Sequence, residues 1–215
     1  VTSPGLLVCA PLRVEALALR RGLPRGVVRC TGYGARSGHQ VEALARKPAQ
    51  ALAVAGVGVA ADDDLRPGDV VVATEVVGAR PEDVVRCPSA PLVAHALWRR
   101  GCRVRTGRVR TVDRLVSAAE AGRLGADGTL AIDLESALLA PAARGRPLAV
   151  VRVVVDTPSR PLARADLPLR GAAALVRLGD VGAALKEWAR AVRTLPEVTA
   201  LRSLPPRSLP PRSLP

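Results

Sequence analysis

Residues 128–156 read GTLAIDLESALLAPAARGRPLAVVRVVVD, and this stretch decides how the chain is built. Leu130 to Asp133 is a short apolar run ending on an acid, which predicts a buried strand. A helix is expected from about Leu134 to Arg144. Pro147 to Val155 is the strongest strand signal in the chain, because consecutive β-branched residues suit a strand covered on both faces. Strand, helix and strand in succession form the unit of a parallel sheet. In open sheets of that kind the ligand site lies beyond the carboxyl ends of the strands. Asp133 and Glu135 fall at one such end and Asp156 at the next. Carboxylates meeting from two strand ends can hold a polyol and protonate a leaving group. The same residues have a plainer reading, since an acid in the first turn of a helix caps it and Asp156 can be an ordinary strand-to-turn residue.

Working outward, the alternation continues. Strands are expected at Leu6–Cys9, Gly26–Cys30, Gln50–Val57, Asp69–Val77 and Cys102–Val109. Helices are expected at 13–21, 40–46, 90–100, 112–121 and 180–193, the last with Leu185 and Trp188 as a packing pair. The order predicts an α/β three-layer sandwich around a central mixed, largely parallel sheet. The domain is expected to span residues 1–195. Residues 196–215 repeat SLPPR, which suits neither helix nor central strand, and are expected to form a disordered tail.

Composition narrows the function classes. A chain of 215 residues with 48% hydrophobic content can bury a core, yet it has no Phe, no Met, one Tyr and two Trp, so Leu, Val and Ala must fill it. The net charge of +13 attracts polyanions, but Lys and Arg form no run of five and no aromatic interleaving is evident. No specific nucleic-acid role is expected. No stretch reaches the roughly 18 apolar residues of a membrane span. The apolar run near the start has no basic leader and reads as a first strand, so a cytoplasmic protein is expected. Cys9, Cys30, Cys87 and Cys102 lack CxxC spacing, and His39 and His95 are far apart. They predict buried thiols and no metal.

Other candidates are individually weaker. Glu15 follows the first strand at the head of a helix, where it can orient a water, bind a hydroxyl or serve the helix start. TGYG at 31–34 and GVG at 56–58 permit close backbone approach to an anion or sugar, which singles out Gly32, Gly34 and Gly56. Asp62, Asp63 and Asp64 read as a solvated loop.

Taken in order, LLVCAPLRVEALALRR, VVRCTGYG, AVAGVGVAADDDLRPGDVVVATE and GTLAIDLESALLA with LAVVRVVVDTP resemble the nucleoside phosphorylase/nucleosidase superfamily. They look most like hopanoid-associated phosphorylases, relatives of methylthioadenosine/S-adenosylhomocysteine nucleosidases. The resemblance spans roughly residues 6–193 and is most specific in the IDLES and VVRVVVD pair. It implies cleavage of a purine nucleoside's N-glycosidic bond with release of adenine. The expected route is phosphorolysis with inorganic phosphate as co-substrate and no cofactor. The alternatives are hydrolysis of the methylthioadenosine/S-adenosylhomocysteine type, or a degraded relative that only binds a nucleoside. By resemblance, Glu135 meets ribose hydroxyls, Leu134 packs on the sugar and Asp156 protonates N7 of the purine. Glu15 orients water, and Gly32, Gly34 and Gly56 lie near the phosphate or nucleophile. Asp133 is grouped with the substrate-binding residues. Arg29, Arg36 and Arg86 are candidates to meet phosphate. A homo-oligomer and peripheral access to a lipid-like substrate are also implied. Departures lie at Ala55, Val57 and Val155, in the absence of aromatic residues from 109 to 127, and in the shortness of the chain before residue 110.

Overall fold

The computed structural model describes residues 5–80, 82–158 and 167–194. The expected tail lies outside them. The strands are β1 (Leu6–Ala10), β2 (Val28–Cys30), β3 (Ala51–Ala60), β4 (Val70–Val77), β5 (Val84–Arg86), β6 (Val104–Thr111), β7 (Thr129–Asp133) and β8 (Leu148–Asp156). The helices are α1 (Arg13–Leu19), α2 (Ala35–Gly38), α3 (Val41–Ala45), α4 (Ala90–Trp98), α5 (Ala118–Gly125), α6 (Ser136–Leu139) and α7 (Leu167–Thr194). A single 3-10 turn, Ala140–Ala143, follows α6.

The fold is α/β with a mixed central sheet. Parallel pairs join β1 to β2 and β3, β3 to β8, β4 to β6, and β6 to β7. Antiparallel pairs join β3 to β7, β4 to β8, and β4 to β5. Following these pairs from β3 through β7, β6, β4 and β8 returns to β3, so the middle of the sheet closes into a barrel-like ring. A simple open sheet has no such closure, and here the ring brings the ends of β3, β7 and β8 to one place.

Helices α1, α4 and α7 cover one face with a core of Val8, Leu19, Val93, Leu97, Leu178 and Leu185. Trp188 is buried in the same core, and its indole N–H donates to Ser89 Oγ at 3.0 Å. The other face is sealed by Leu52, Val54, Val71, Leu139 and Val150. Aliphatic side chains thus do the work of the absent Phe and Met. No helix among the described residues is long and apolar enough to cross a membrane.

Several elements differ from expectation. Helix α7 begins at Leu167 instead of 180. Within it Gly182 serves close packing, since a Cβ there would sit 2.4 Å from the Leu19 carbonyl oxygen in α1. Residues 112–117 form a loop, and the helix starts later because Ser117 caps it, accepting the Glu120 N–H at 3.3 Å. The helix expected to run to Arg144 tightens after α6 into the 3-10 turn at Pro141. Of the four thiols, Cys30 is exposed and the other three are buried.

Candidate active site

One cavity of about 470 Å³ opens where the chain leaves β1, β3, β7 and β8. Its walls include Glu15, Leu134, Glu135 and Asp156, together with Val57, Val59, Leu115, Val116 and Ile132. Leu12, Tyr33 and Leu115 stand at its mouth with substantial exposure. Side chains separated by more than a hundred residues therefore share a wall that is mostly apolar.

Each carboxylate accepts from backbone N–H groups. Glu15 is buried; its Oε2 accepts the Leu12 N–H and its Oε1 the Val57 N–H, both at 2.8 Å. The first bond closes the start of α1 in the manner of a capping box. The second ties the carboxylate to β3. Burial pushes the Glu15 carboxyl above its ordinary range, against the pull of those two N–H groups and Arg152. Glu135 precedes α6, and its Oε1 accepts the Gly34 N–H at 3.0 Å. Burial pushes its carboxyl upward too, opposed chiefly by Arg152.

Asp156 ends β8 at a bulge. The register with β3 passes from Gly58 opposite Val154 to Val59 opposite Asp156, leaving Val155 unmatched. Adjacent residues of a strand normally face opposite ways. The bulge lets both Val155 and Asp156 border the cavity. Asp156 Oδ1 accepts the Thr157 N–H at 2.9 Å.

The residue missed from the sequence is Arg152, which is 0% exposed in the middle of β8. Its Nε donates to Asp133 Oδ2 at 2.7 Å and its Nη2 to Ser136 Oγ at 2.9 Å. Nη2 also lies 3.5 Å from Glu135 Oε2, while Nη1 has no hydrogen-bond partner among the described residues. A lone Arg inside VVRVVV was the available signal, because a cation in a strand covered on both faces requires partners.

Asp133, grouped with the substrate by the sequence, also borders the cavity, and its carboxylate is bonded within the protein. Oδ1 accepts from Thr111 Oγ1 at 2.7 Å and from the Glu135 and Ser136 N–H groups at 3.1 Å. With Oδ2 on Arg152, both carboxylate oxygens are engaged. Burial acts to raise this carboxyl; Arg152 and the surrounding donors outweigh that and hold it below the usual aspartate range.

Gly32, Gly34 and Gly56 do not line the cavity. A Cβ on Gly56 would lie 2.8 Å from Arg152 Nη1 and 2.9 Å from Glu15 Oε1. Gly56 thus makes room for the protein's own charged groups. Gly34 adopts φ 58° and ψ −142°, a conformation essentially reserved for glycine, and this turn presents its N–H to Glu135. Gly32 has φ 77° and turns the chain ahead of Tyr33. Arg29, Arg36 and Arg86 are exposed and none borders the cavity.

No protein-family model and no curated protein sequence matches the chain. Solved structures do. An S-adenosylhomocysteine nucleosidase from Streptococcus pyogenes, in complex with 5-methylthiotubericidin, superposes with a TM-score of 0.69 at 21% identity, covering 89% of this chain and 98% of its own. Futalosine hydrolase of Helicobacter pylori gives 0.70 at 16% identity, with 88% and 98% covered. A 5'-methylthioadenosine/S-adenosylhomocysteine nucleosidase of Campylobacter jejuni gives 0.69 at 15%, with 89% and 100% covered. These structures correct the expectation of inorganic phosphate as co-substrate, because they are nucleosidases and a hydrolase, which use water. The likeness to hopanoid-associated phosphorylases gains no support from them. What the chain shares with these proteins, over nearly its whole described length, is the nucleosidase fold.

Proposed function

We propose that the protein hydrolyses the N-glycosidic bond of a purine nucleoside carrying an apolar 5′ substituent. The observation behind this reading is the meeting of Glu15, Glu135 and Asp156 around one apolar-walled cavity of about 470 Å³. The likeness to nucleosidase structures supports it. Breaking the C1′–N9 bond builds positive charge on the sugar and negative charge on the base. Glu135 accepts hydrogen bonds from the ribose hydroxyls and steadies the sugar, while Leu134 packs on its face. Asp156 donates a proton to N7, so the base leaves neutral. A water held by Glu15 attacks C1′ and passes its proton to that carboxylate. The upward shift of Glu15 by burial makes it a stronger base than an exposed glutamate. Arg152 counters the negative charge of Glu15 and Glu135 together. The apolar lip of Leu12, Tyr33 and Leu115 suits a thioether or other apolar group at the 5′ carbon.

The test is adenine release from 5′-methylthioadenosine and S-adenosylhomocysteine in phosphate-free buffer. Adenine is read by chromatography, and the free sugar is examined for oxygen from isotope-labelled water. Release with label incorporated is expected. Saturable nucleoside binding by a folded protein that releases no base would overturn the reading in favour of a binding protein.

A further inference from the structure

One buried hydroxyl meets the carboxylate network without bordering the cavity. Thr111 ends β6 and is 5% exposed, and the cavity walls do not include it. A bulge brings it beside Asp133. Strands β6 and β7 run parallel, and their register passes from Arg108 opposite Thr129 to Val109 opposite Ala131, leaving Leu130 unmatched. Beyond that shift Thr111 stands opposite Asp133. Without the extra residue it would stand opposite Ile132, whose side chain belongs to the other face of the strand.

The hydroxyl is bound on both sides. Oγ1 accepts the Ala137 N–H at 2.8 Å and donates to Asp133 Oδ1 at 2.7 Å. A hydroxyl carries one hydrogen, and here the carboxylate takes it. The same Oδ1 accepts the Glu135 and Ser136 N–H groups at 3.1 Å. Three successive N–H groups at the start of α6, which the helix itself cannot pair, thus close on Asp133 and Thr111. Glu135 carries the first of them. Its backbone, at φ −135° and ψ −26°, is not helical, and its side chain reaches the Gly34 N–H.

Arg152 completes the arrangement from the opposite side. It bonds to Asp133 Oδ2 although β8 and β7 are not neighbours in the sheet, so this bond crosses the barrel-like ring. Glu135 therefore depends on one aspartate twice, through its own N–H on Oδ1 and through Arg152 on Oδ2. The two N–H groups on Oδ1 lie within three residues of Asp133 and move with it. Among the described residues, Thr111 and Arg152 are the side chains from other strands that anchor its carboxylate.

We propose that Thr111 is a positioning residue for base release. Its hydroxyl holds Asp133 and the start of α6 so that Glu135 presents its carboxylate to the ribose. The proposal rests on the reading of Glu135 as the acceptor of the ribose hydroxyls, and Thr111 itself meets no substrate.

The experiment measures kcat/KM for adenine release from 5′-methylthioadenosine and from its 2′-deoxy analogue, with the full chain in phosphate-free buffer. The quantity read is the ratio between the two substrates, so their intrinsic difference in reactivity cancels when proteins are compared. Glu135→Gln measures the share of that ratio the carboxylate supplies, expected at about 10- to 150-fold for a hydrogen bond to a charged group. Thr111→Val keeps the shape and removes the hydroxyl. It should lose most of that share, and melt about 2–12 °C lower because the Ala137 N–H is left unpaired. Thr111→Ser should keep the wild-type ratio. Thr111→Cys, a weak donor and weak acceptor, should fall between, and it carries the test where the valine variant does not fold. In the Glu135→Gln background, Thr111→Val should change the ratio no further. A wild-type protein that releases no adenine overturns the reading of the site, and an unchanged ratio in Glu135→Gln overturns the role given to that carboxylate. A protein that passes both, yet in which Thr111→Val and Thr111→Cys slow the two substrates alike, overturns this proposal alone, because loss of folded protein lowers both rates by one factor. A Thr111→Ser ratio as low as that of Thr111→Val also overturns it.

Discussion

Replacing Arg152 with Met tests the view that one buried cation holds the carboxylates of the site together. The change keeps an unbranched apolar stem and removes a guanidinium that is 0% exposed. It deletes the 2.7 Å bond to Asp133 Oδ2, the 2.9 Å bond to Ser136 Oγ and the 3.5 Å ion pair with Glu135. Asp133 keeps its three Oδ1 donors but loses the charge that opposes burial. Removing one partner of a buried ion pair costs about 3–5 kcal/mol. For a chain of this size 1 kcal/mol moves the melting temperature by roughly 2–4 °C, so R152M should melt about 6–20 °C lower. The assay is thermal and urea unfolding of wild type, R152M, D133N and the double variant at pH 7. The double variant, with Asn facing Met and no stranded charge, should recover part of the loss, and the two single costs should not add. The pH dependence has a definite sign. Without Arg152 the folded-state pKa of Asp133 rises. A raised acid contributes stability that is kept below its unfolded value, near 3.9, and lost as pH climbs through the folded value. The gap between R152M and wild type should therefore narrow as pH falls toward 4. An R152M protein within about 0.5 kcal/mol of wild type, or strictly additive singles, would refute the reasoning.

Asp156→Asn should reduce base release by roughly 10²- to 10⁴-fold, the usual worth of a general acid, with little change in melting temperature; steady-state kinetics beside a melt checks both. Gly34→Ala meets open space yet holds φ 58°, so it should cost about 1–3 kcal/mol in urea unfolding and weaken substrate binding through Glu135. Burial raises Glu15 and Glu135, so their contribution to wild-type stability is full below about pH 4.3 and is lost as pH rises through the raised values. E135Q should flatten that decline between about pH 4.3 and neutrality, measured by urea midpoints at stepped pH, and a slope equal to wild type would count against it. Asp133 acts in the opposite sense: its stabilisation is present above about pH 3.9 and fades on further acidification.

The strand order along the chain was legible because hydrophobic pattern is local. Leu6–Ala10, Val70–Val77 and Leu148–Asp156 announce themselves by runs of aliphatic residues that no other element needs. The short β5 carries no comparable signal and exists because β4 pairs with it. Helix α7 hid its first half behind Gly171 and Gly179, which lower helix propensity. The closure of the sheet through β4 and β8 was not legible either, since periodicity within a strand says nothing about its neighbours.

The site divides along the same line. The sequence determined which carboxylates stand at element ends, because an acid closing an apolar run has nowhere apolar to go. Glu135 and Asp156 are of that kind, and Glu15 stands in the first turn of α1. Only the tertiary structure decided what each one faces. It turned Asp133 inward to Arg152, gave Gly34's N–H to Glu135, and used a bulge to bring Asp156 to the cavity beside Val155. The physical reason is the range of the interactions. Burial and helix starts are set within a few residues, whereas a charge pair is set by whatever the fold brings within about 4 Å.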